Sequence, residues 1–176
     1  ILISGSSSFS MTGGSYKVKD DDYEGDPTKA FEVSFSPMGA IFVIDNLAVG
    51  AMLPMSVTRY KYESDAKNVY SQILFAPVAR YYFLSDMIRP FGQLAFGGGV
   101  SGSKYVDSDG DSDRTNDLIT LLNVGGGAAF FISDNVAIDA TLTYNYNRSK
   151  QVQDNDDNER YITHSVEFGF GITIIL

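Results

Sequence analysis

The chain has 176 residues, of which 44% are hydrophobic and 13% aromatic, with 13 basic and 22 acidic residues and a formal net charge of −9. This length fits one domain over residues 1–176, and the aromatic content excludes an intrinsically disordered chain. The lack of cysteine excludes disulfides, thiolate metal sites and a cysteine nucleophile, and the acidic balance disfavours nucleic acid as a partner.

Alternation of apolar and polar residues with a period of two recurs along the chain and predicts an all-β protein. The expected strands are residues 1–16, 30–43, 47–60, 69–84, 89–102, 118–132, 136–148 and 161–176. The last is the clearest, because Val166, Phe168 and Phe170 alternate with Glu167 and Gly169. No apolar run approaches the roughly 18–20 residues of a membrane helix. If this chain spans a membrane, it therefore does so with strands.

The connections between these strands are of two kinds, which alternate along the chain. Three are short and contain aspartate with serine or asparagine, at residues 44–47, 84–88 and 132–136. Four are long and polar, near residues 17–29, 61–68, 103–117 and 149–160. In an up-and-down sheet the short turns then share one end and the long loops share the other. This asymmetry is typical of transmembrane barrels.

Four charged residues inside the predicted strands lie on the face opposite the apolar row: Glu32, Arg80, Asp139 and Glu167. An arginine or lysine facing lipid at the bilayer midplane costs roughly 2–4 kcal/mol, so we expect these residues in the barrel lumen. A soluble lipocalin-like carrier is disfavoured, since its apolar residues would face inward. One arginine cannot neutralise three carboxylates in a dry interior, so water or a protonated carboxyl group is expected there. A polar plug is favoured over an ion or proton path.

Three segments resemble the hairpin repeats of the outer-membrane β-barrel family that includes OmpA- and OmpX-like proteins. They are residues 35–50, 77–83 and 125–138, and in that family a glycine-containing strand runs through an aromatic residue into an Asp-Asn turn. The resemblance covers essentially the whole chain. It implies an eight-stranded antiparallel up-and-down transmembrane β-barrel, integral to the outer membrane of a Gram-negative-type bacterium. It implies little about activity, because the superfamily includes anchors, adhesins, small pores and a few enzymes.

The loop at residues 107–113 carries carboxylates at alternate positions around a glycine: Asp107, Asp109, Asp111 and Asp113. Carboxylate oxygens suit Ca²⁺, although the full EF-hand spacing is missing. The loop is thus a candidate calcium site, and a solvated acidic loop is the favoured interpretation. Together with residues 20–22 and 154–159 it predicts an acidic external rim, able to hold divalent ions shared with lipopolysaccharide phosphates.

His164 is the single histidine of the chain, so any histidine-based catalysis would depend on it. Barrel enzymes that remodel lipid A use a histidine with a serine and an acid, and His164, Ser165 and Glu167 superficially resemble that set. Adjacent residues of a strand point to opposite faces, so His164 and Ser165 are expected on opposite sides of the wall. We therefore expect no enzymatic activity and no cofactor.

Aromatic residues cluster towards the ends of the predicted strands and are interpreted as girdles at the two membrane interfaces. They are Tyr60, Tyr62, Tyr70, Tyr81, Tyr82, Phe83, Phe91, Tyr144, Tyr146 and Tyr161. The glycine runs 97–99 and 125–127 lack the helix and the Lys-Ser/Thr pair of a phosphate-binding loop. They indicate strand curvature and close packing in a narrow barrel.

The expected function is that of a non-enzymatic outer-membrane anchor. Its acidic loops would contact lipopolysaccharide, ligands or other outer-membrane proteins, and a role as accessory subunit of a larger complex is a close variant. The alternative is a narrow pore for ions or small solutes, which would require a continuous lumen past Arg80.

Overall fold

The computed structural model describes residues 1–7, 15–16, 19–20, 23–24, 28–61, 67–83, 87–106, 112–151 and 160–176. Within these ranges, no helix of sufficient length and apolarity to cross a membrane is found.

Eight strands form the wall of the molecule. They are β1 (Leu2–Ser7), β2 (Thr28–Ile44), β3 (Leu47–Met52 continued by Met55–Lys61), β4 (Lys67–Tyr82), β5 (Ile88–Val106), β6 (Ser112–Phe131), β7 (Val136–Gln151) and β8 (Arg160–Ile175). Each strand pairs antiparallel with its sequence neighbours. Leu2 of β1 lies opposite both Ala40 of β2 and Ile175 of β8, so the sheet closes on itself. The expected eight-stranded up-and-down barrel is confirmed.

Short paired segments occur between β1 and β2. Ser15–Tyr16 pairs with the beginning of β2, and Lys19–Asp20 pairs with Tyr23–Glu24. The first of these segments lies at the end of the barrel that carries the long loops, where β2 begins.

Proline explains the break in β3, which was expected to be one continuous strand. Pro54 has no amide hydrogen to donate to the ladder. The neighbouring Leu53 still donates its N–H to the carbonyl oxygen of Pro37 at 2.9 Å. The pairing register with β2 is the same before and after the break. The break therefore removes a ladder bond without moving side chains to the other face.

The apolar face of the wall points outward. In β8 the side chains of Val166, Phe168 and Phe170 are 69%, 61% and 57% exposed, whereas Gly169 and Thr173 on the alternate face are buried. An outer surface of this kind is unfavourable in water and is the surface a bilayer requires. The sheet is thus built as a transmembrane barrel, with its polar face towards the lumen.

Several strands extend further towards the long-loop end than the alternation predicts. β5 ends at Val106 instead of 102, β6 begins at Ser112 instead of 118, and β7 ends at Gln151 instead of 148. Their backbone groups pair with neighbouring strands although the side chains there are polar. Hydrophobic alternation reports the part of a strand that contacts lipid, and the hydrogen-bonded ladder continues beyond it.

Glycine permits a close approach between strands at position 97. A Cβ atom on Gly97 would lie 2.0 Å from the carbonyl oxygen of Phe75 and 2.6 Å from Cα of Ala76. Any larger residue would have to move the backbone of β4. This close approach supports the interpretation of the glycine runs as sites of wall curvature and tight packing.

The Gly97→Ala variant is expected to be less stable than the parent by about 1–3 kcal/mol, the usual cost of overpacking. Denaturant unfolding of the protein in lipid vesicles measures the difference. Gly39→Ala is the matched control, because a Cβ at Gly39 meets nothing within 4 Å. Equal stability of the two variants would show that the wall relaxes freely at position 97.

Candidate lumenal site

A buried ion pair crosses the lumen. Nη1 of Arg80 on β4 lies 2.9 Å from Oδ2 of Asp139 on β7, and the two residues are 4% and 1% exposed. Thr173 on β8 donates its hydroxyl to the same carboxylate oxygen at 2.7 Å. β5 and β6 separate the two charged residues in the ring, so the bond ties different parts of the wall together.

A chain of amides extends this ion pair around the inside of the wall. Nε and Nη2 of Arg80 donate to Oε1 of Gln93 at 3.1 and 2.8 Å. Gln93 donates to Asn123 at 3.3 Å, and Asn123 donates to Asn145 at 2.6 Å. Each step moves one strand further, from β4 to β7. We call Arg80, Gln93, Asn123, Asn145, Asp139 and Thr173 the polar plug.

An aromatic layer lies against the polar plug on the side of the short turns. The guanidinium carbon of Arg80 is 4.1 Å from the centre of the Phe91 ring. Tyr82 packs edge-on against Phe91, with ring centres 5.6 Å apart, and Phe42 lies 6.1 Å from Tyr82. Tyr82 and Phe91 are each 3% exposed. These three rings form the aromatic stopper, which closes the lumen a second time.

The lumen opens on the other side of the polar plug. A cavity of about 90 Å³ is lined by Glu32, Glu167 and Arg80 among others. A wider cavity of about 630 Å³ follows towards the long-loop end, where Tyr60 and Tyr70 contribute to the lining. Glu32 borders both cavities. Together the two cavities form a polar vestibule closed at its base by the polar plug and the aromatic stopper.

The four charged residues expected in the lumen lie at two levels. Arg80 and Asp139 form the ion pair, whereas Glu32 and Glu167 line the cavity above it. Glu167 lines the same cavity as Glu32 and Asn145. The arginine thus pairs with one carboxylate and not with three. The water or shared proton expected beside them stays a prediction.

The amides of the polar plug were not identified from the sequence. Gln93, Asn123 and Asn145 are uncharged, and nothing in their local sequence distinguishes them from other polar residues of a lumenal face. The strand register could have identified Gln93. Once Arg80 is placed in the lumen, pairing with β5 puts Gln93 directly opposite it.

The girdle interpretation is wrong for half of the aromatic residues. Tyr82 and Phe91 belong to the aromatic stopper, and the mouth of the vestibule is lined by Tyr60, Tyr70 and Tyr161. The outer wall carries Tyr81, Phe83, Tyr144 and Tyr146. Tyr62 is outside the described residues. Position along a strand gives the height of an aromatic residue, but only its alternation with the lumenal residues of the same strand gives the face.

His164 lies on the outer wall. It shares a hydrogen bond with the hydroxyl of Tyr144 and packs against the ring of Tyr146 at 5.3 Å. Glu167 lines the vestibule, and Ser165 has the same strand parity as Glu167. The histidine, serine and acid therefore do not converge on one point.

The side chains of the candidate calcium ligands lie outside the part of the chain that the structure describes. Asp107, Asp109 and Asp111 are not described, and neither is the side chain of Asp113. The acidic runs 20–22 and 154–159 are likewise mostly or wholly outside the described ranges. Among the side chains that are described, no group of three or more histidines and carboxylates is arranged to hold a metal ion.

Solved structures with a similar fold are outer-membrane proteins. Neisserial surface protein A matches with a TM-score of 0.50 and 18% identity, over 99% of this chain and 94% of its own. The attachment invasion locus protein Ail of Yersinia pestis matches with a TM-score of 0.40 and 20% identity, over 98% and 95% of the two chains. The outer membrane enzyme PagL matches with a TM-score of 0.37 and 12% identity over both whole chains.

No family model and no curated protein sequence matches the chain. The likeness to neisserial surface protein A agrees with the fold seen in the strand pairing, and at this identity it extends to the fold alone.

Proposed function

We propose that this eight-stranded barrel of the outer-membrane type is a non-conducting, non-enzymatic anchor in the bacterial outer membrane. It holds acidic loops at the cell surface, where they contact lipopolysaccharide, ligands or partner proteins. The observation that carries the proposal is the double closure of the lumen by the polar plug and the aromatic stopper.

The chemistry of this closure favours a permanent seal. Opening a path would break the bond between Arg80 and Asp139 and leave two charges in a narrow interior, at a cost of several kcal/mol. It would also require Tyr82 and Phe91 to leave their packed positions, although both are almost completely buried. A gate needs two states of similar free energy, and this arrangement strongly favours one of them.

The placement of the polar groups supports the proposal that the protein is not an enzyme. His164 is on the outer wall, while the carboxylates Glu32 and Glu167 line the vestibule. A general base must lie within hydrogen-bond reach of the group it activates. Of the described residues, those expected for a histidine, serine and acid mechanism do not meet this condition.

A narrow pore is the second candidate, and the vestibule favours it. About 630 Å³ of polar space lies open to the long-loop end and narrows onto the polar plug. A conducting form would need only the base of the vestibule to open. The two candidates thus differ in whether Arg80 and Phe91 keep the base of the vestibule closed.

Planar-bilayer recording distinguishes them. The wild-type protein is expected to be silent, Arg80→Ala to show brief openings, and Arg80→Ala combined with Phe91→Ala to conduct steadily, because that variant removes both layers. Tyr70→Ala is the control, since it widens the mouth and leaves the closure intact; it should remain silent. Steady ohmic steps from the wild type would overturn the anchor proposal in favour of the pore.

A further inference from the structure

The outer face of the barrel wall differs in charge from the lumenal face, which carries acidic residues together with the basic residue Arg80. In the wall strands, the acidic residues whose side chains are described face the lumen: Glu32, Asp117, Asp139 and Glu167. The charged residues described on the outer face are all basic: Arg59, Lys61, Lys67, Lys104, Arg148, Lys150 and Arg160. All seven lie towards the long-loop end.

Strand alternation places these basic residues on the outer face. Arg148 lies between Asn147 and Ser149, which both line the vestibule. Arg160 precedes Tyr161, which lines the mouth of the same cavity. Consecutive residues of a strand point to opposite faces, so both arginines point away from the lumen.

The register gathers three of the cations into one patch on β7 and β8. Lys150 lies directly opposite Arg160, and Arg148 is two residues from Lys150 on the same face. Side chains in these relations are within about 5–8 Å of one another. We call Arg148, Lys150 and Arg160 the rim patch. Lys150 also has an interaction within the chain, so the phosphate contacts are assigned to the two arginines.

The rim patch lies at the height of lipid headgroups. Arg148 is twelve positions from Val136, which begins β7 at the short-turn end. At about 3.4 Å per residue and a strand tilt of about 40°, this spans about 30 Å along the membrane normal. Tyr144 and Tyr146 lie immediately below on the outer face, as expected of an interfacial aromatic girdle.

We propose that the rim patch binds the phosphate of an anionic lipid headgroup in the outer leaflet. Guanidinium groups bind phosphate oxygens in a bidentate manner, and the long side chains reach the headgroup level while their stems cover apolar surface. The charge of the outer face supports this occupant, because the charged residues described there are all basic and attract an anionic headgroup. The inference rests on the membrane orientation of the proposed anchor and not on its closed lumen.

Native mass spectrometry of the detergent-solubilised protein tests the proposal. The probes are phosphatidic acid, phosphatidylcholine with the same acyl chains, and inorganic phosphate. Phosphatidic acid is expected to bind at least tenfold more tightly than phosphatidylcholine. Arg148→Ala combined with Arg160→Ala should weaken its binding about 30-fold, at about a factor of five for each cation removed at a headgroup site.

The matched control is Arg148→Lys combined with Arg160→Lys, which keeps both charges and should bind within a few fold of the wild type. Folding of every variant is verified by its heat-dependent mobility in gels. Unchanged binding of phosphatidic acid to the folded alanine variant would overturn the proposal. Displacement of the lipid by millimolar inorganic phosphate would also overturn it, by showing a general anion site. If the wild-type protein conducts ions, the proposal of a closed anchor is wrong. The outcome of the lipid-binding experiment does not depend on that result.

Discussion

Asp139→Asn is expected to destabilise the folded barrel by about 3–5 kcal/mol, because it leaves the buried guanidinium of Arg80 without its counter-charge. Arg80 is 4% exposed and the carboxylate of Asp139 receives bonds from both Arg80 and Thr173. Gln93 remains as a neutral partner and cannot compensate for the lost charge. Urea unfolding of the protein folded into lipid vesicles gives the free energy of unfolding.

Two further variants separate the charge from the hydrogen bond. Thr173→Val removes one bond to Asp139 and should cost only about 1 kcal/mol. Arg80→Met combined with Asp139→Asn removes the unpaired cation and should recover most of the stability lost in the single variant. If the double variant were less stable than Asp139→Asn alone, the ion pair would not be the source of the loss.

Leu142→Arg is expected to cost about 2–4 kcal/mol, or to prevent insertion, because it places a cation against lipid near the bilayer midplane. Leu142 is 57% exposed on the outer wall. It lies six residues from Val136 and six from Arg148, midway between the two ends of the membrane span. The free energy of unfolding in vesicles, or the fraction inserted, measures the effect.

The neighbouring residue supplies the control for this experiment. Thr143 points into the vestibule and lies opposite Glu167 on β8. Thr143→Arg introduces the same charge one position away and gives it a carboxylate partner, so its stability should remain within about 1 kcal/mol of the wild type. Equal losses for the two variants would mean that the outer wall does not face lipid.

Much of the fold was predictable because a membrane barrel repeats one simple physical requirement on every strand. Apolar residues must face lipid and polar residues must face the lumen, so alternation identifies each strand and assigns its faces. The placement of Arg80 and Asp139 in the lumen follows from this rule. The distinction between short turns and long loops follows from the residues that favour tight turns, such as Asp45 and Asn46.

The candidate sites were less predictable, for a physical reason that concerns register. The sequence alone could not pair Arg80 with Asp139 in preference to Glu32 or Glu167. The choice depends on where each residue lies along the barrel axis, and the strand register around the closed ring sets those positions. Arg148 is the last residue of its predicted strand and Arg160 falls in the predicted polar loop, since the loss of apolar alternation obscures the continuing ladder. Only the strand pairing shows that they lie on the outer wall.

By itself, the sequence determined the eight strands, their up-and-down order and the lumenal face of the charged residues inside the strands, because these properties depend on local alternation and turn chemistry. The tertiary structure alone decided how the lumen is closed, which carboxylate the arginine meets, and where the basic residues gather. Those features depend on contacts between strands that are distant in sequence. The positions of these strands relative to one another along the barrel axis are set when the ring closes.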